Sequence, residues 1–269
     1  MLVRHDSEVA PRAAGESVLT RVNRILESFS AETPTQTVSD IARRAGLPVA
    51  TSHRLVNELE RLGYLERNLD RRLQIGQRLW ELGSRSSRTL RLRRLALPIM
   101  IDLHGRLQHN VQLAVLDGLE ALFIERLTTH DEYRIIQVAG RLPAHACSSG
   151  LVLLAYASPL VQERLWATEL PRFTQLTVTD QRELRALLAE IRRTDHVVVN
   201  GIMTAGARAS AVPVRNPRGE VIAALNVVAP SAENGLLSHL AALHHAARRI
   251  TDALAHDSGR DSGPVPALR

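Results

Sequence analysis

The strongest constraint on the fold is the stretch 37–63, which reads TVSDIARRAGLPVATSHRLVNELERLG. Thr37 and Asp40 have the Ser/Thr-x-x-Asp/Glu spacing in which the two side chains accept hydrogen bonds from free backbone N–H groups at a helix start. Gly46 suits the left-handed residue that closes a helix, and Pro48 suits the first turn of the next helix. The pattern therefore predicts two short helices joined by a tight turn.

The second of these helices has two chemically different sides. Leu55, Val56 and Leu59 recur at helical spacing, so their side is expected to pack against the rest of the domain. The opposite side carries the small, polar and basic residues Ala50, Thr51, His53, Arg54, Asn57 and Arg61. An ordinary helical hairpin with a solvated polar face would also show this pattern. A helix of this kind behind a short locking helix nevertheless fits the major groove of double-stranded DNA, so we predict a helix-turn-helix.

The flanking residues favour DNA binding over a simple hairpin. Residues 18–29 have an apolar stripe that predicts a third helix for the same core. Residues 64–75 form two strand-like runs around a turn at 68–70, and they carry Arg67, Arg71 and Arg72. Such a basic hairpin after the second helix is typical of the wing of a winged helix, and we include Arg72 among the predicted DNA contacts.

The charge distribution supports this prediction. The chain has 34 basic residues, all of them arginine, and a net charge of +6. Residues 1–94 contain 17 arginines and 11 acidic residues, whereas residues 95–269 contain 17 of each. The whole excess therefore lies in the first third of the chain, which is the electrostatic footprint of nucleic-acid binding.

The remaining two thirds alternate between helix and strand patterns. Strands are predicted at 110–117, 120–127, 134–138, 196–199, 207–214 and 220–229, with helices at 95–107, 148–157 and 180–194 and a closing helix from 236. The turns at 117–118 and 216–219 join neighbouring strands as hairpins. Hairpins with flanking helices predict an α+β domain on an antiparallel sheet.

Other features of the sequence limit where the protein acts. The chain has no run of 18 apolar residues, so no membrane-spanning helix is expected. A single cysteine, Cys147, excludes an internal disulfide framework and suits a reducing cytoplasm. We therefore expect a cytoplasmic protein without membrane contact.

The segment 140–150, GRLPAHACSSG, is the second candidate site. Its small residues Ala146, Cys147, Ser148, Ser149 and Gly150 lead directly into an apolar helix, whose first N–H groups and dipole can attract an anion. The simpler explanation from the residues alone is that Ser148 or Ser149 caps the helix.

Several stretches resemble the IclR family of bacterial transcription regulators. The run IARRAGLPVATSHRLVNELERLGYLER is similar to the family's DNA-binding domain, whereas GRLPAHACSSGLVLLA and GARASAVPVRNPRGEVIAALNVVAP are similar to its effector-binding domain. The resemblance spans roughly residues 16–256. The form AVPVRN…GEVIAALNV is most similar to the branch that controls aromatic-acid catabolism through the β-ketoadipate pathway.

The resemblance implies a regulator, expected to repress a catabolic operon, that is controlled by a small organic acid. It also implies a homodimer, or a dimer of dimers, on a palindrome-like operator. The expected organisation is a disordered N-terminus (1–15), a winged helix-turn-helix domain (16–75), a linker helix (76–92), a GAF-like α+β effector domain (93–256) and a disordered tail (257–269). No cofactor or metal is implied.

The resemblance also places three further residues in the effector site. Many relatives have a cysteine at the position of Ala209, and some sensors of small acids have Ser-x-Ser at Asn226 and Val228. Both departures predict a roomier or less polar pocket, which favours an aromatic carboxylate. The wing departs as well, because Arg71 replaces the usual glycine, and a looser wing tip is expected.

Two other classes of function are consistent with parts of the sequence. The chain could be a DNA-binding regulator without a small-molecule effector. It could also be an enzyme in which His145 activates Cys147 as a nucleophile. No third orienting residue, metal-ligand spacing or glycine-rich phosphate loop accompanies this pair, so catalysis is the less favoured alternative.

Overall fold

The computed structural model describes residues 16–30, 32–84, 88–129, 139–232 and 236–260. They belong to two compact units that divide between Arg88 and Thr89. The predicted strand at 134–138, the predicted disordered segment 1–15 and residues 261–269 of the predicted tail lie outside the described residues. None of the described helices is both long enough and apolar enough to cross a membrane.

The first unit is the predicted winged helix-turn-helix. Its elements are α1 (Val18–Glu27), α2 (Val38–Ala45), α3 (Val49–Arg61), β1 (Leu65–Arg67), β2 (Leu73–Ile75) and α4 (Gln77–Ser84). Thr37 and Asp40 form the predicted reciprocal cap, and hydrogen bonds from Thr37 are the main cause that lowers the pKa of the Asp40 carboxyl to about 2. Gly46 ends α2 in the left-handed conformation with φ of 60°.

The wing is joined by several hydrogen bonds within its turn and to helix α3. The Asn68 N–H donates to the Arg72 carbonyl, and the Asn68 carbonyl accepts the Arg71 N–H. The Asn68 side-chain oxygen accepts the Arg72 N–H at 2.9 Å. Arg67 pairs with Glu60 of α3 at 2.9 Å and donates to the Arg71 carbonyl at 3.0 Å. Arg71 itself adopts φ of 57°, the left-handed conformation that favours glycine. These bonds define the turn despite the missing glycine, and a tip looser than that of relatives stays a prediction.

The second unit contains an antiparallel sheet, as predicted. Its strands are β3 (Asn110–Asp117), β4 (Glu120–Leu127), β5 (Arg141–Pro143), β6 (Val197–Asn200), β7 (Ala207–Arg215) and β8 (Val221–Pro230). Within the described part of the chain their order is β5-β4-β3-β8-β7-β6. The helices are α5 (Arg88–Leu107), α6 (Ser148–Ala155), α7 (Pro159–Trp166), α8 (Gln181–Thr194) and α9 (Leu236–Arg260).

The sheet has a separate apolar core on each face. Helices α5 and α9 pack on one face with alternate strand residues such as Leu225 and Val227, whereas α6 and α8 pack on the other with residues such as Ala211 and Ala224. Because side chains alternate along a strand, Asn226 lies on the α6 face with Ala224. Its cross-strand partner is Gln112 of β3, and Val228 pairs with Ala209 of β7. The register thus gathers the predicted pocket residues beneath the start of α6.

One predicted boundary differs from the structure, and one predicted segment lies partly outside the described residues. The predicted linker segment 76–92 contains α4 and the first residues of α5, and residues 85–87 between them are not among those described. The predicted tail begins at Asp257, but α9 continues through it to Arg260. Asp257 accepts from Arg91 at 2.6 Å and from Arg94 at 3.3 Å. These ion pairs hold the last turns of α9 against α5, so the start of the tail was placed too early.

Candidate DNA-binding surface and effector cavity

Helix α3 presents the predicted polar side to solvent. Leu55, Val56 and Leu59 are buried in the core of the first unit. Thr51 is half-buried, and the remaining predicted contacts on this helix are exposed: Ala50, His53, Arg54, Asn57 and Arg61. The helix therefore has the amphipathic orientation that the prediction requires.

The arginines of this surface differ in how freely they can reach a phosphate or a base. Arg54 is exposed and has no ion-pair or hydrogen-bond partner among the described residues. Arg61 pairs with Glu58, with its Nε 3.1 Å from Oε2. Arg72 donates to the Thr35 carbonyl at 3.2 Å and lies 3.7 Å from an Asp40 oxygen. Arg72 thus fastens the wing to the domain, whereas the Arg54 guanidinium has no internal partner among the described residues.

A cavity of about 50 Å³ opens between the sheet and the start of α6. Six of the eight predicted effector residues line it, namely Ala146, Cys147, Ser148, Ala209, Asn226 and Val228. Ser149 and Gly150 are fully buried and are not among its lining residues. Sequence reasoning missed the other lining residues: Gln112, Phe123, Leu142, Val199, Gly201, Ile202, Met203, Thr204 and Ala207.

The start of α6 explains why small residues are needed there. A single 3-10 turn, Ala144–Ala146, precedes Cys147, which is the N-cap residue and accepts the Gly150 N–H through its sulfur at 3.4 Å. Neither serine caps the helix, so the simpler explanation drawn from the residues is wrong. The backbone N–H groups of Ser148 and Ser149 have no acceptor in the described part of the chain. Two donors of the first turn are therefore unpaired among the described residues, and one of them belongs to Ser148, which lines the cavity.

Gly150 is required by close packing of this turn. A Cβ atom on Gly150 would lie 2.2 Å from the carbonyl oxygen of Ala144, far inside contact distance. The glycine lets the 3-10 turn fold back against the first turn of α6. It shapes the cavity wall without lining it.

The polar side chains of the cavity form one small network. Asn226 is 3% exposed, and its Nδ2 lies 3.3 Å from Gln112 Oε1 and 3.4 Å from Ser148 Oγ. The Asn226 Oδ1 atom has no partner within the described residues. A buried amide with an unsatisfied oxygen is costly, so this position is unfavourable for packing alone.

The cavity contains no charged lining residue among those described, and its cysteine is not activated. Burial raises the pKa of the Cys147 thiol to about 12, so the thiol is protonated at neutral pH. His145 Nε2 lies 2.9 Å from the Pro171 carbonyl oxygen, and burial lowers the pKa of His145. No hydrogen bond joins His145 to Cys147 in the described part of the chain, so the geometry does not favour a nucleophilic pair.

Two family models match the chain. Residues 18–69 match the IclR helix-turn-helix domain, and residues 85–252 match the bacterial transcriptional regulator IclR C-terminal domain. The second match alone covers more than half of the 269 residues. Together they correspond to the two compact units.

Individual relatives are similar over most of their length. The chain is 28% identical over 264 residues to the Pca operon regulatory protein of Acinetobacter baylyi, covering 94% of this chain and 92% of the relative. It is 30% identical over 209 residues to the p-hydroxybenzoate hydroxylase transcriptional activator of the same organism, covering 75% of this chain and 77% of that relative. The chain is also similar to a solved IclR homolog from Microbacterium hydrocarbonoxydans, which is complexed with 4-hydroxybenzoate. The two are 46% identical with a TM-score of 0.83, and the match covers 89% of this chain and 100% of the homolog.

Proposed function

Because the chain belongs to the IclR family of bacterial transcriptional regulators, we propose that it binds an operator through α3 and senses an aromatic carboxylate in the cavity beneath α6. The observation that carries the effector class is the cavity itself. Its walls are mainly apolar, no charged side chain is among its described lining residues, and two free N–H donors lie at the start of α6. A carboxylate can bind such donors without an arginine.

The relatives support the same chemical class. The homolog from Microbacterium hydrocarbonoxydans was solved with 4-hydroxybenzoate, and the Acinetobacter relatives are named for the pca operon and for p-hydroxybenzoate hydroxylase. We extend this class to the present chain and place the ring against Phe123, Ala209 and Val228. The Asn226 amide would then orient the acid from beside Ser148. A regulator without an effector is less favoured, because it would not need this cavity.

We expect a regulator without catalytic activity, since Cys147 is buried and protonated and His145 bonds to a carbonyl instead. That the protein represses a catabolic operon stays a prediction. One relative is named as an activator, so the family name alone does not give the sign of regulation.

Replacing Arg54 with alanine should weaken specific operator binding by about 1–3 kcal/mol, the range for one good base or phosphate contact. Arg54 is the exposed cation of α3 without an internal partner in the described residues, so the loss should not disturb the fold. Titration of purified variants on a duplex that the wild type selects from a random-sequence pool measures the effect. Arg61→Ala, which also removes the Glu58 pair, should cost less.

Leu59→Ala is the contrasting variant for this experiment. Leu59 is 3% exposed in the core of the first unit, so its truncation should weaken binding by destabilising the domain. Circular dichroism separates the two causes. A folded Arg54→Ala protein that binds the selected duplex as tightly as the wild type would remove Arg54 from the interface.

We further propose that the chain acts as a homodimer or a dimer of dimers, because a palindrome-like operator requires two recognition helices at a fixed spacing. On α4, Trp80 is 69% exposed and Leu82 is 39% exposed, which makes this helix our candidate for part of the contact between subunits.

Light scattering at micromolar concentration should show an oligomer. Trp80→Glu should shift the protein toward monomer, whereas Gln77→Glu on the same helix should not. A wild-type monomer that still binds operator tightly would contradict this proposal.

A further inference from the structure

One wall of the cavity is a loop without regular secondary structure. Residues 201–206, here the cavity loop, connect β6 to β7, and Gly201, Ile202, Met203 and Thr204 line the cavity. The loop begins and ends in the left-handed conformation, with φ of 65° at Gly201 and 78° at Gly206. Its position therefore depends on the contacts that hold it from outside.

Two threonine hydroxyls provide the contacts at the start of the cavity loop, and at its end the Gly206 carbonyl accepts the Ser231 N–H at 2.8 Å. Thr177 Oγ1 donates to the Ile202 carbonyl at 2.6 Å, and Thr174 Oγ1 donates to the Gly201 carbonyl at 2.7 Å. Thr177 is 2% exposed, and its oxygen also accepts the N–H groups of Phe173 at 3.1 Å and Thr174 at 2.9 Å. The Thr177 hydroxyl thus uses its donor and both acceptor positions in one buried junction.

Both threonines belong to residues 171–179, here the strap, which connects α7 to α8. The other end of the strap is tied to the opposite cavity wall. Pro171 accepts a hydrogen bond from His145 Nε2 at 2.9 Å, and the His145 and Phe173 rings lie 6.3 Å apart. His145 is 3% exposed and sits in the turn immediately before the lining residues Ala146 and Cys147. The strap therefore spans from the start of α6 to the cavity loop.

We infer that the strap fixes the separation of these two walls and so sets the size of the acid that the cavity accepts. In this arrangement Thr177 is the principal positioning residue, since it joins the strap to the cavity loop and also holds the strap's own bend. Hydrogen bonds in a buried junction are costly to leave unmade, so loss of the hydroxyl should release the loop. The inference rests on the proposed function for the identity of the ligand.

The test compares Thr177→Val with Thr177→Ser in the full-length protein. Valine keeps the side-chain shape but removes the hydroxyl, so amide hydrogen exchange at 202–206 should become about tenfold faster without ligand. Affinity for 4-hydroxybenzoate should fall about tenfold, mainly through faster dissociation, whereas 2-naphthoate should lose less because it needs the wider cavity. Thr177→Ser should keep the wild-type exchange rate and the wild-type affinity for 4-hydroxybenzoate. Operator binding without ligand should stay unchanged in both variants.

Thr168→Val is the matched control, because that hydroxyl donates only to the Arg164 carbonyl on the surface of α7. Thr174→Val removes the bonds of that hydroxyl to the Gly201 and Ile202 carbonyls and from the Leu176 N–H, but leaves the Thr177 hydroxyl in place. It is the second variant to measure if Thr177→Val does not fold. Exchange at 202–206 that stays at the wild-type rate in both valine variants would overturn the inference, as would a serine variant that behaves like valine. If the wild type binds no aromatic acid, the proposed function fails, and the exchange rates still decide whether the strap holds the loop.

Discussion

4-Hydroxybenzoate should bind the ligand-free protein about 100-fold more tightly than 4-hydroxybenzamide. The two molecules have the same ring and hydroxyl, and they differ in the charge of the group that faces the start of α6. The Ser148 and Ser149 N–H groups have no acceptor among the described residues. Ser148 lines the cavity and Ser149 follows it in the same helical turn, so we expect a bound carboxylate to accept from both N–H groups. The positive end of the α6 dipole adds to this attraction.

The magnitude follows from the strength of hydrogen bonds to charged groups. Each contributes about 1.5–3 kcal/mol, compared with about 0.5–1.5 kcal/mol for a neutral pair. Exchanging two charge-assisted bonds for one neutral bond therefore lowers affinity by about 1.5–5.5 kcal/mol. The expected 100-fold, or about 2.7 kcal/mol, lies in the lower half of this range. The effect is large because the described lining residues include no cation that could bind the acid in another way.

Calorimetry at pH 7 measures this difference directly, since a carboxyl group with a pKa of about 4 is ionised there. Acid and amide should be titrated into the same preparation, with the protein's operator binding as the check that it is folded. Equal affinities for the two ligands would mean that the N–H groups of α6 do not hold the anion. The carboxylate would then have to lie elsewhere.

The first unit could be predicted in detail because its determinants are local. The Thr37–Asp40 cap, the left-handed Gly46 and the apolar spacing of α3 each depend on residues within one or two helical turns. The same locality explains what was missed in the wing. Arg72 bonds to Thr35 and approaches Asp40, both more than 30 residues away, and no pattern in the sequence reveals such a pairing.

The sequence predicted only those effector-site residues that belong to a local motif or that the family resemblance identifies. Asn226 and Val228 share a face because strand side chains alternate, and the start of α6 was evident from its small residues. Gln112 reaches the cavity because β3 pairs with the distant strand β8, and Phe123 follows because β4 pairs with β3. The cavity loop reaches it through the strap. Cys147 was expected in the site as a small residue, but its role as the helix cap depends on the 3-10 turn before it.

Gly150→Ala should abolish effector binding, with at least a 100-fold loss, while the ligand-free protein still binds DNA. The added Cβ would lie 2.2 Å from the Ala144 carbonyl oxygen and 2.3 Å from the Ala144 Cα, both main-chain atoms that cannot rotate away. The 3-10 turn or the first turn of α6 must therefore move. That movement displaces the Ser148 and Ser149 N–H groups, on which the carboxylate depends, by a large fraction of a hydrogen-bond length.

Gly105→Ala is the matched control for this variant. Gly105 lies in α5 of the same unit, and a Cβ there would meet no atom within 4 Å, so alanine should be neutral or slightly stabilising. Calorimetry with 4-hydroxybenzoate, operator titration and thermal unfolding are measured on both variants. The recognition helix α3 belongs to the other unit, so operator affinity of Gly150→Ala should stay within about threefold, or 0.7 kcal/mol, of the wild type. A folded Gly150→Ala protein with wild-type affinity for the acid would show that the geometry of the α6 start does not determine effector binding.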